Sequence, residues 1–215
     1  MKKSTNVALL FAALIMLGAG VYVAFSKKAL ITLPYYGDKV ADARGDTVYH
    51  TVGTFTLTNQ LGKVITDKDL KGKIYVADYF FANCRSICPK MSSQLERVQA
   101  RFKNEPDFMI LSHTVDPARD TVAALERYAG MHGADPKKWF FLTGDKKQLY
   151  DLARHSYLVT ATEGNGGAED FVHTEQFALV DKEKHLRGFY DGTDSAKVTQ
   201  LIRDAEQLLL SYNHN

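Results

Sequence analysis

The sequence predicts an α/β domain built on a central mixed sheet that is flanked by helices. Two near-continuous apolar runs, residues 73–81 and 108–115, have the composition of strands that are buried on both faces. Segments with apolar residues at helical spacing follow both runs, and such alternation of strand and helix indicates parallel pairing. A polar turn at 181–184 separates two later strands and predicts an antiparallel hairpin. The sheet should therefore contain both kinds of pairing.

The individual elements are predicted in chain order from spacing and turn residues. Residues 54–58 alternate polar and apolar side chains like a strand, and 59–63 form the turn after it. Residues 67–72 predict a short helical turn that Gly72 ends. After the strand at 73–81, four apolar residues recur at helical spacing: Met91, Leu95, Val98 and Phe102. The later elements are predicted as a strand at 108–115, a helix at 120–132, a strand at 139–142, a helix at 146–155, strands at 177–180 and 186–190, and a helix at 195–212.

The amino-terminal segment has the composition of a membrane anchor. Residues 7–25 carry no charge and are flanked by lysines on both sides, and an apolar helix of roughly 20 residues can span a bilayer. We interpret residues 1–28 as an uncleaved signal anchor with one transmembrane helix. A cleaved secretory signal is the alternative. Both interpretations place the remaining chain outside the cytoplasm, and the first attaches it to the cell membrane with its soluble domain on the extracytoplasmic (periplasmic) side.

Charge and length limit the function classes open to the rest of the chain. The formal net charge is +2, but the first 28 residues contribute four lysines and no acidic residue, so residues 29–215 carry a net charge of −2. No nucleic-acid partner is therefore expected. We divide the chain into the anchor at 1–28, an irregular stalk at 29–52 that lies against the domain, and one α/β domain at 53–212.

The two cysteines of the chain are its most informative residues. Cys84 and Cys88 directly follow the apolar strand at 73–81 and precede the first long helix. A thiol pair at the first junction of strand and helix predicts a thioredoxin-like arrangement. Residues four apart share one face of a helix, so the two sulfurs can bind one metal ion or bond to each other. The three intervening residues favour metal binding over thiol oxidation, whereas two unreactive buried cysteines are the structural alternative. A disulfide across so short a loop would add little stability.

A metal site with two thiolates needs a third ligand. His173 directly precedes a predicted strand and follows a glycine-containing insert at 164–167. His113, at the end of the second apolar strand, is the closest rival. The other histidines are expected to be surface or packing residues: His50, His132, His155, His185 and His214.

Taken together, these motifs resemble the Sco/SenC copper proteins. The resemblance rests on Cys84-x-x-x-Cys88-Pro89, on Val-Asp-Pro-Ala-Arg-Asp-Thr at 115–121 and on His173 ahead of a strand, and it extends from about residue 52 to 210. Members of this family are membrane-anchored, thioredoxin-fold assembly factors for respiratory cytochrome c oxidase. The resemblance implies that Cys84, Cys88 and His173 bind copper and that the chain delivers it to the copper-centre subunit of the oxidase. It does not identify the protein that donates the copper. Arg85 is a departure, because many relatives have proline after the first cysteine.

Three functions remain open at the level of sequence. The first is a copper metallochaperone that holds Cu(I) or Cu(II), since two soft thiolates and an imidazole suit copper, with zinc as the chief competitor. The second is a thiol–disulfide oxidoreductase in which Cys84 and Cys88 are catalytic and reduce the cysteines of the oxidase subunit or of another exported protein. The third is a zinc or redox-stress protein without an oxidase client. Asp116 and Arg119 either face a substrate or belong to a turn with a helix N-cap.

Overall fold

The two central strands of the sheet are buried along their whole length. In this computed structural model, which describes residue 16 and residues 32–161, 163–167, 170–172 and 174–213, every residue of the strands at 74–80 and 108–114 is buried. The strands are β1 (Lys39–Ala41), β2 (Thr47–Tyr49), β3 (Thr56–Asn59), β4 (Val64–Thr66), β5 (Ile74–Phe80), β6 (Phe108–Thr114), β7 (Trp139–Thr143), β8 (Gln176–Val180) and β9 (Leu186–Asp191). The helices are α1 (Ile87–Arg101), α2 (Val122–Met131), α3 (Lys146–Asp151) and α4 (Ser195–Asn213). A 3₁₀ turn (Asp67–Leu70) precedes β5, and a π-helical turn (Leu152–Ser156) continues α3.

Seven strands form one mixed sheet in the order β4-β3-β7-β6-β5-β8-β9. The strands β5, β6 and β7 pair in parallel, and the remaining neighbours pair antiparallel. The mixed α/β sheet predicted from the sequence is thereby confirmed. Parallel pairing brings the carboxyl ends of β5 and β6 to the same edge of the sheet, with Phe80 opposite Thr114. The segment with both cysteines follows β5 at this edge.

Two apolar clusters cover the two faces of the sheet. One contains Phe80 of β5 and the buried faces of α1, α2 and α4, together with Cys84 and Cys88. The other contains Tyr79, the next residue along β5, and the buried side chains of α3 and its π-helical turn. Because side chains alternate across a strand, Phe80 and Tyr79 point to opposite faces.

The segment predicted as an irregular stalk contains regular structure. The strands β1 and β2 pair antiparallel as a hairpin, and all their residues are exposed except Tyr49, which is half-buried. Ahead of the hairpin, the buried Arg187 side chain donates to the backbone oxygens of Leu33 and Pro34, at 2.6 and 3.0 Å, and to the carboxylate of Asp181 at 2.8 Å. The hairpin was missed because strands without a buried face show no hydrophobic alternation.

The predicted membrane anchor falls outside the described part of the chain. Of residues 7–25, the structure describes only Met16. Among the described residues, no helix has the length and apolar character that crossing a bilayer requires. The anchor at 1–28 and the domain boundaries therefore stay predictions.

Candidate metal centre

The two cysteines occupy different elements of the chain. The helix α1 begins at Ile87 with Ser86 as its N-cap, so Cys88 is the second helical residue and Cys84 lies in the loop before it. The expectation that both cysteines share one helical face is therefore wrong. Both side chains are nevertheless buried in the same apolar cluster, with 8% exposure of Cys84 and 3% of Cys88.

The Cys84 sulfur acts as the hydrogen-bond acceptor at the start of α1. The first backbone N–H groups of a helix have no partner within the helix, and an N-cap side chain normally accepts one of them. The Ser86 side chain makes no such bond. Instead the backbone N–H of Cys88 donates to Cys84 Sγ at 3.4 Å, and the Ser86 hydroxyl lies 3.8 Å from the same sulfur. The local fold therefore turns the sulfur toward the positive end of the helix, where a thiolate is favoured.

This environment separates the pKa values of the two thiols. Burial alone would raise the pKa of Cys84, but hydrogen bonds from the Cys88 thiol and from the backbone N–H groups of Cys88 and Ser86 outweigh it and lower the pKa to about 7. Burial, together with the bond to Cys84, raises the pKa of Cys88 to about 12. One sulfur is thus readily ionised and the other is held as a neutral donor beside it. Two such sulfurs in one apolar pocket fit a soft metal ion, which displaces the remaining proton on binding.

Alkylation of the metal-free, reduced chain should therefore be selective for Cys84. Because the thiolate is the reactive form, the rate at Cys84 should rise with pH and level off above about pH 8, with roughly a tenth of the maximum left at pH 6. Cys88 should react far more slowly throughout this range, since its pKa lies near 12. The measurement is timed iodoacetamide labelling followed by peptide mass spectrometry. Equal rates at the two cysteines between pH 6 and 8 would contradict the assignment.

A buried carboxyl that the sequence did not mark as functional supports the thiol loop. The Asp120 side chain, 1% exposed, accepts from the backbone N–H of Ala82 at 3.2 and 3.3 Å to its two oxygens and from the Thr114 hydroxyl at 2.5 Å. Burial raises the pKa of Asp120, and the bonds from Thr114 and Ala82 act against that rise. The motif at 115–121 thereby touches the segment that leads to Cys84. The two aspartates of this motif, Asp116 and Asp120, could have suggested from sequence that a carboxylate supports the thiol loop. The sequence does not indicate which of the two is buried.

Of the other charged residues of this motif, Arg119 is exposed and Asp116 is half-buried. Asp116 and Arg119 form a loose ion pair at 3.4 Å, and the Arg119 side chain is 77% exposed. The N-cap of α2 is Thr121, whose hydroxyl accepts from the Ala124 N–H at 3.4 Å. The interpretation as a turn with a helix N-cap fits this geometry, and no described contact joins Asp116 or Arg119 to the cysteines.

His173 lies outside the described residues, but its neighbours on both sides line a cleft with Cys88. Phe171, Val172 and Thr174 line a narrow cleft together with Cys88. The ring of Phe171 packs edge-on against Phe81 of the thiol loop, with centroids 5.8 Å apart. The segment on either side of His173 therefore forms one wall of this cleft.

His113 occupies the opposite face of the sheet from the cysteines. It pairs with Tyr79 across β5 and β6, and the two rings stack at 5.0 Å, whereas the cysteines pack with Phe80. Burial lowers the pKa of His113 to about 4, so the ring is neutral. Its Nε2 atom has no hydrogen-bond partner among the described residues. His113 is therefore a core residue and not a rival ligand to the thiol pair.

Three solved proteins are similar to this chain in fold and are 27–31% identical to it in sequence. A family model described as SCO1/SenC matches residues 43–209. A SCO1/SenC family lipoprotein from Bacillus anthracis str. Ames is 31% identical, with a TM-score of 0.63 over 74% of this chain and 95% of that one. BsSco, a member of the Sco family of cytochrome c oxidase assembly proteins in which a disulfide switch was identified, is 29% identical, with a TM-score of 0.64 over 76% and 95%. ScoI of Bradyrhizobium japonicum, solved with copper bound, is 27% identical, with a TM-score of 0.58 over 74% and 99%. The similarity in fold confirms the predicted thioredoxin-like domain.

Proposed function

The chain belongs to the SCO1/SenC family, and we propose that it is a membrane-anchored copper metallochaperone for the dinuclear copper centre of cytochrome c oxidase. In this proposal Cys84, Cys88 and His173 hold one copper ion, which is cargo that the chain passes to the copper-centre subunit. The copper-bound ScoI structure and the description of BsSco as an oxidase assembly protein support this assignment.

The observation that carries the proposal is the contact between the two cysteines. Cys84 Sγ already accepts the Cys88 N–H, and its pKa of about 7 makes a thiolate available at neutral pH. Loss of the Cys88 proton then gives a second soft ligand within the same pocket, and two thiolates are the ligand set that Cu(I) prefers.

The third ligand is assigned to His173 from its neighbours. Val172 and Thr174 line the cleft that Cys88 also lines, and this supports a ligand role for His173. The position of Thr174 is fixed by a hydrogen bond, in which its hydroxyl donates to the backbone oxygen of Val159 at 2.7 Å. An imidazole would extend the ligand set toward Cu(II), which takes nitrogen ligands readily.

Membrane attachment is proposed through residues 7–25. The related Bacillus anthracis protein is described as a lipoprotein. In this chain the only cysteines are Cys84 and Cys88, so neither is available for a lipid near the amino terminus. The uncharged segment would take over that role, with the domain on the extracytoplasmic side.

The test of the proposed function is a copper titration of the reduced chain without oxygen. Cu(I) is added against a chelator that competes for it, and binding should saturate at one ion per chain. Zinc titrated in the same way should bind more weakly than Cu(I), since thiolates select the softer ion. Zinc that binds more tightly than Cu(I) would favour the zinc protein that the sequence left open.

Replacing His173 by alanine should weaken Cu(II) binding much more than Cu(I) binding. Cu(I) is satisfied by two thiolates alone, whereas Cu(II) loses a nitrogen ligand. Loss of a residue that hydrogen-bonds a metal ligand typically lowers metal affinity roughly 10–100-fold. His173 is proposed as a direct ligand, so we expect its loss to lower Cu(II) affinity by more than this. The measurement is competitive titration with each ion. His155→Ala, at an exposed histidine, is the matched control. If His173→Ala bound both ions like the unmodified chain, the proposed ligand set would be wrong.

Thiol–disulfide exchange is a second candidate that one observation favours. The separated pKa values give an ionised sulfur at Cys84 beside a protonated one at Cys88, which is the asymmetry that a nucleophilic and a resolving thiol require. The same His173→Ala variant separates the two functions. Exchange with a disulfide substrate needs only the thiols and should survive that substitution, whereas tight Cu(II) binding should not.

A further inference from the structure

A buried ion pair holds the segment just ahead of His173. We propose that Arg154 and Asp170 are positioning residues that fix this segment against the thiol cleft and so allow the proposed centre to hold Cu(II) as well as Cu(I). The inference rests on the proposed function. Neither residue was singled out in the sequence, and neither touches the cysteines.

The geometry of the pair is bidentate. Arg154 Nη1 donates to Asp170 Oδ2 at 2.9 Å and Nη2 donates to Oδ1 at 2.6 Å. The two side chains are only 5% and 6% exposed. A planar guanidinium bound to both carboxylate oxygens fixes direction as well as distance. The hydrogen bonds from Arg154, a bond from the Gly166 N–H and the positive charge of Arg154 hold the pKa of Asp170 below its usual range, so the pair stays charged at neutral pH. Burial of two charges is a poor source of stability, so a role in positioning explains the pair better.

The pair connects the two walls of the cleft. On one side, the Arg154 guanidinium lies over the Tyr150 ring at 5.5 Å, and the Tyr150 hydroxyl donates to the Val115 oxygen at 2.7 Å. The Val115 N–H in turn donates to the oxygen of Phe80, the last residue of β5 before the thiol loop, at 2.8 Å. On the other side, Asp170 is followed directly by Phe171, whose ring packs against Phe81. A continuous set of contacts thus joins the thiol loop to the segment that carries His173.

The glycine insert is shaped around this ion pair. The Gly166 N–H donates to Asp170 Oδ2 at 2.7 Å, and Gly166 has a φ of +74°, which other residues adopt with strain. A methyl group on Gly164 would lie 2.5 Å from Arg154 Nη2 and would overlap both Asp170 carboxylate oxygens. Only glycine can therefore occupy positions 164 and 166 without disturbing the ion pair or straining the backbone. This accounts for Gly164 and Gly166 of the insert.

The test replaces Asp170 by asparagine, which keeps the size of the side chain and removes its charge. In the full chain we expect Cu(II) affinity to fall by about 10–100-fold, the usual effect of losing a group that orients a ligand. Cu(I) affinity should stay within about twofold, because the thiolates are untouched. The thiolate-to-Cu(II) absorption bands should move toward those of His173→Ala. Gly164→Ala should act in the same direction, and Arg154→Lys, which keeps the charge but not the bidentate contact, should have a smaller effect.

Two comparisons make the outcome decisive. Asp151→Asn removes an exposed ion pair, in which the Lys147 side chain is 68% exposed and the Asp151 side chain 46%. This control should leave the affinities for Cu(I) and Cu(II) unchanged. Adding Asp170→Asn to His173→Ala should cause no further loss, because the pair acts through His173. A full second loss in the double variant, or normal Cu(II) binding by Asp170→Asn, would overturn the inference. Normal binding by His173→Ala would instead overturn the proposed ligand set. If thermal unfolding shows that Asp170→Asn does not fold, Gly164→Ala and Arg154→Lys decide the matter by the same criteria.

Discussion

Replacing either Cys84 or Cys88 by alanine is expected to abolish tight copper binding by the full chain. Each substitution removes one of the two thiolates, and the cation keeps only a single thiolate and an imidazole. The affinity for Cu(I) should fall by more than roughly 100-fold, the upper limit for residues that only hydrogen-bond a metal ligand, because here a proposed direct ligand is removed. The measurement is anaerobic competition with a chelator. Retention of one tightly bound Cu(I) per chain by either variant would remove that cysteine from the ligand set.

The loss of copper binding should not be caused by unfolding. Cys88 is 3% exposed, and its truncation removes one buried sulfur, which typically costs about 1 kcal/mol of unfolding free energy. Cys84→Ala also removes the acceptor of the Cys88 N–H at the start of α1, and loss of such a cap costs about 0.5–2 kcal/mol. Cys84→Ala should therefore be the less stable variant. Ser93→Ala, at an exposed position of the same helix, is the control for changes in α1 itself.

The central fold followed from the sequence because its pattern reflects burial. The strands β5 and β6 carry apolar runs that only a sheet covered on both faces explains, and α1 shows its buried face through Met91, Leu95 and Val98. The hairpin of β1 and β2 gave no such signal, because its side chains face solvent. The π-helical turn after α3 has no sequence pattern of its own.

The sequence indicated candidate ligands for the site but not the residues that pack around them. The thiol pair could be recognised from spacing, yet only the structure shows that Cys84 precedes the helix and caps it. Whether His113 faces the thiols depends on which side of β6 it occupies, and a strand buried on both faces leaves no alternation to read. Arg154 and Asp170 are brought together by tertiary packing, so their pairing could not be inferred from composition or period.

Oxidation of the chain should remove its ability to bind copper tightly, and reduction should restore it. Joining Cys84 to Cys88 releases two protons and two electrons and consumes both sulfurs as ligands. An added disulfide or diamide supplies the oxidant, and the Cys84 thiolate, with a pKa of about 7, is the nucleophile that starts the exchange. The oxidised chain should hold less than about a tenth of an equivalent of copper under conditions where the reduced chain holds one. A disulfide switch was identified in the related BsSco.

Copper should in turn protect the thiols from oxidation, because a metal-bound sulfur is not free to attack. The measurement is copper stoichiometry before oxidation, after oxidation and after reduction, with free thiols counted in parallel. Cys88→Ala cannot form the intrachain bond and therefore shows how much of the thiol loss arises between chains. If the fully oxidised chain, with no free thiol, still held one tightly bound copper ion, neither cysteine would be a ligand. The metallochaperone proposal would then fail together with the role assigned to the ion pair behind it.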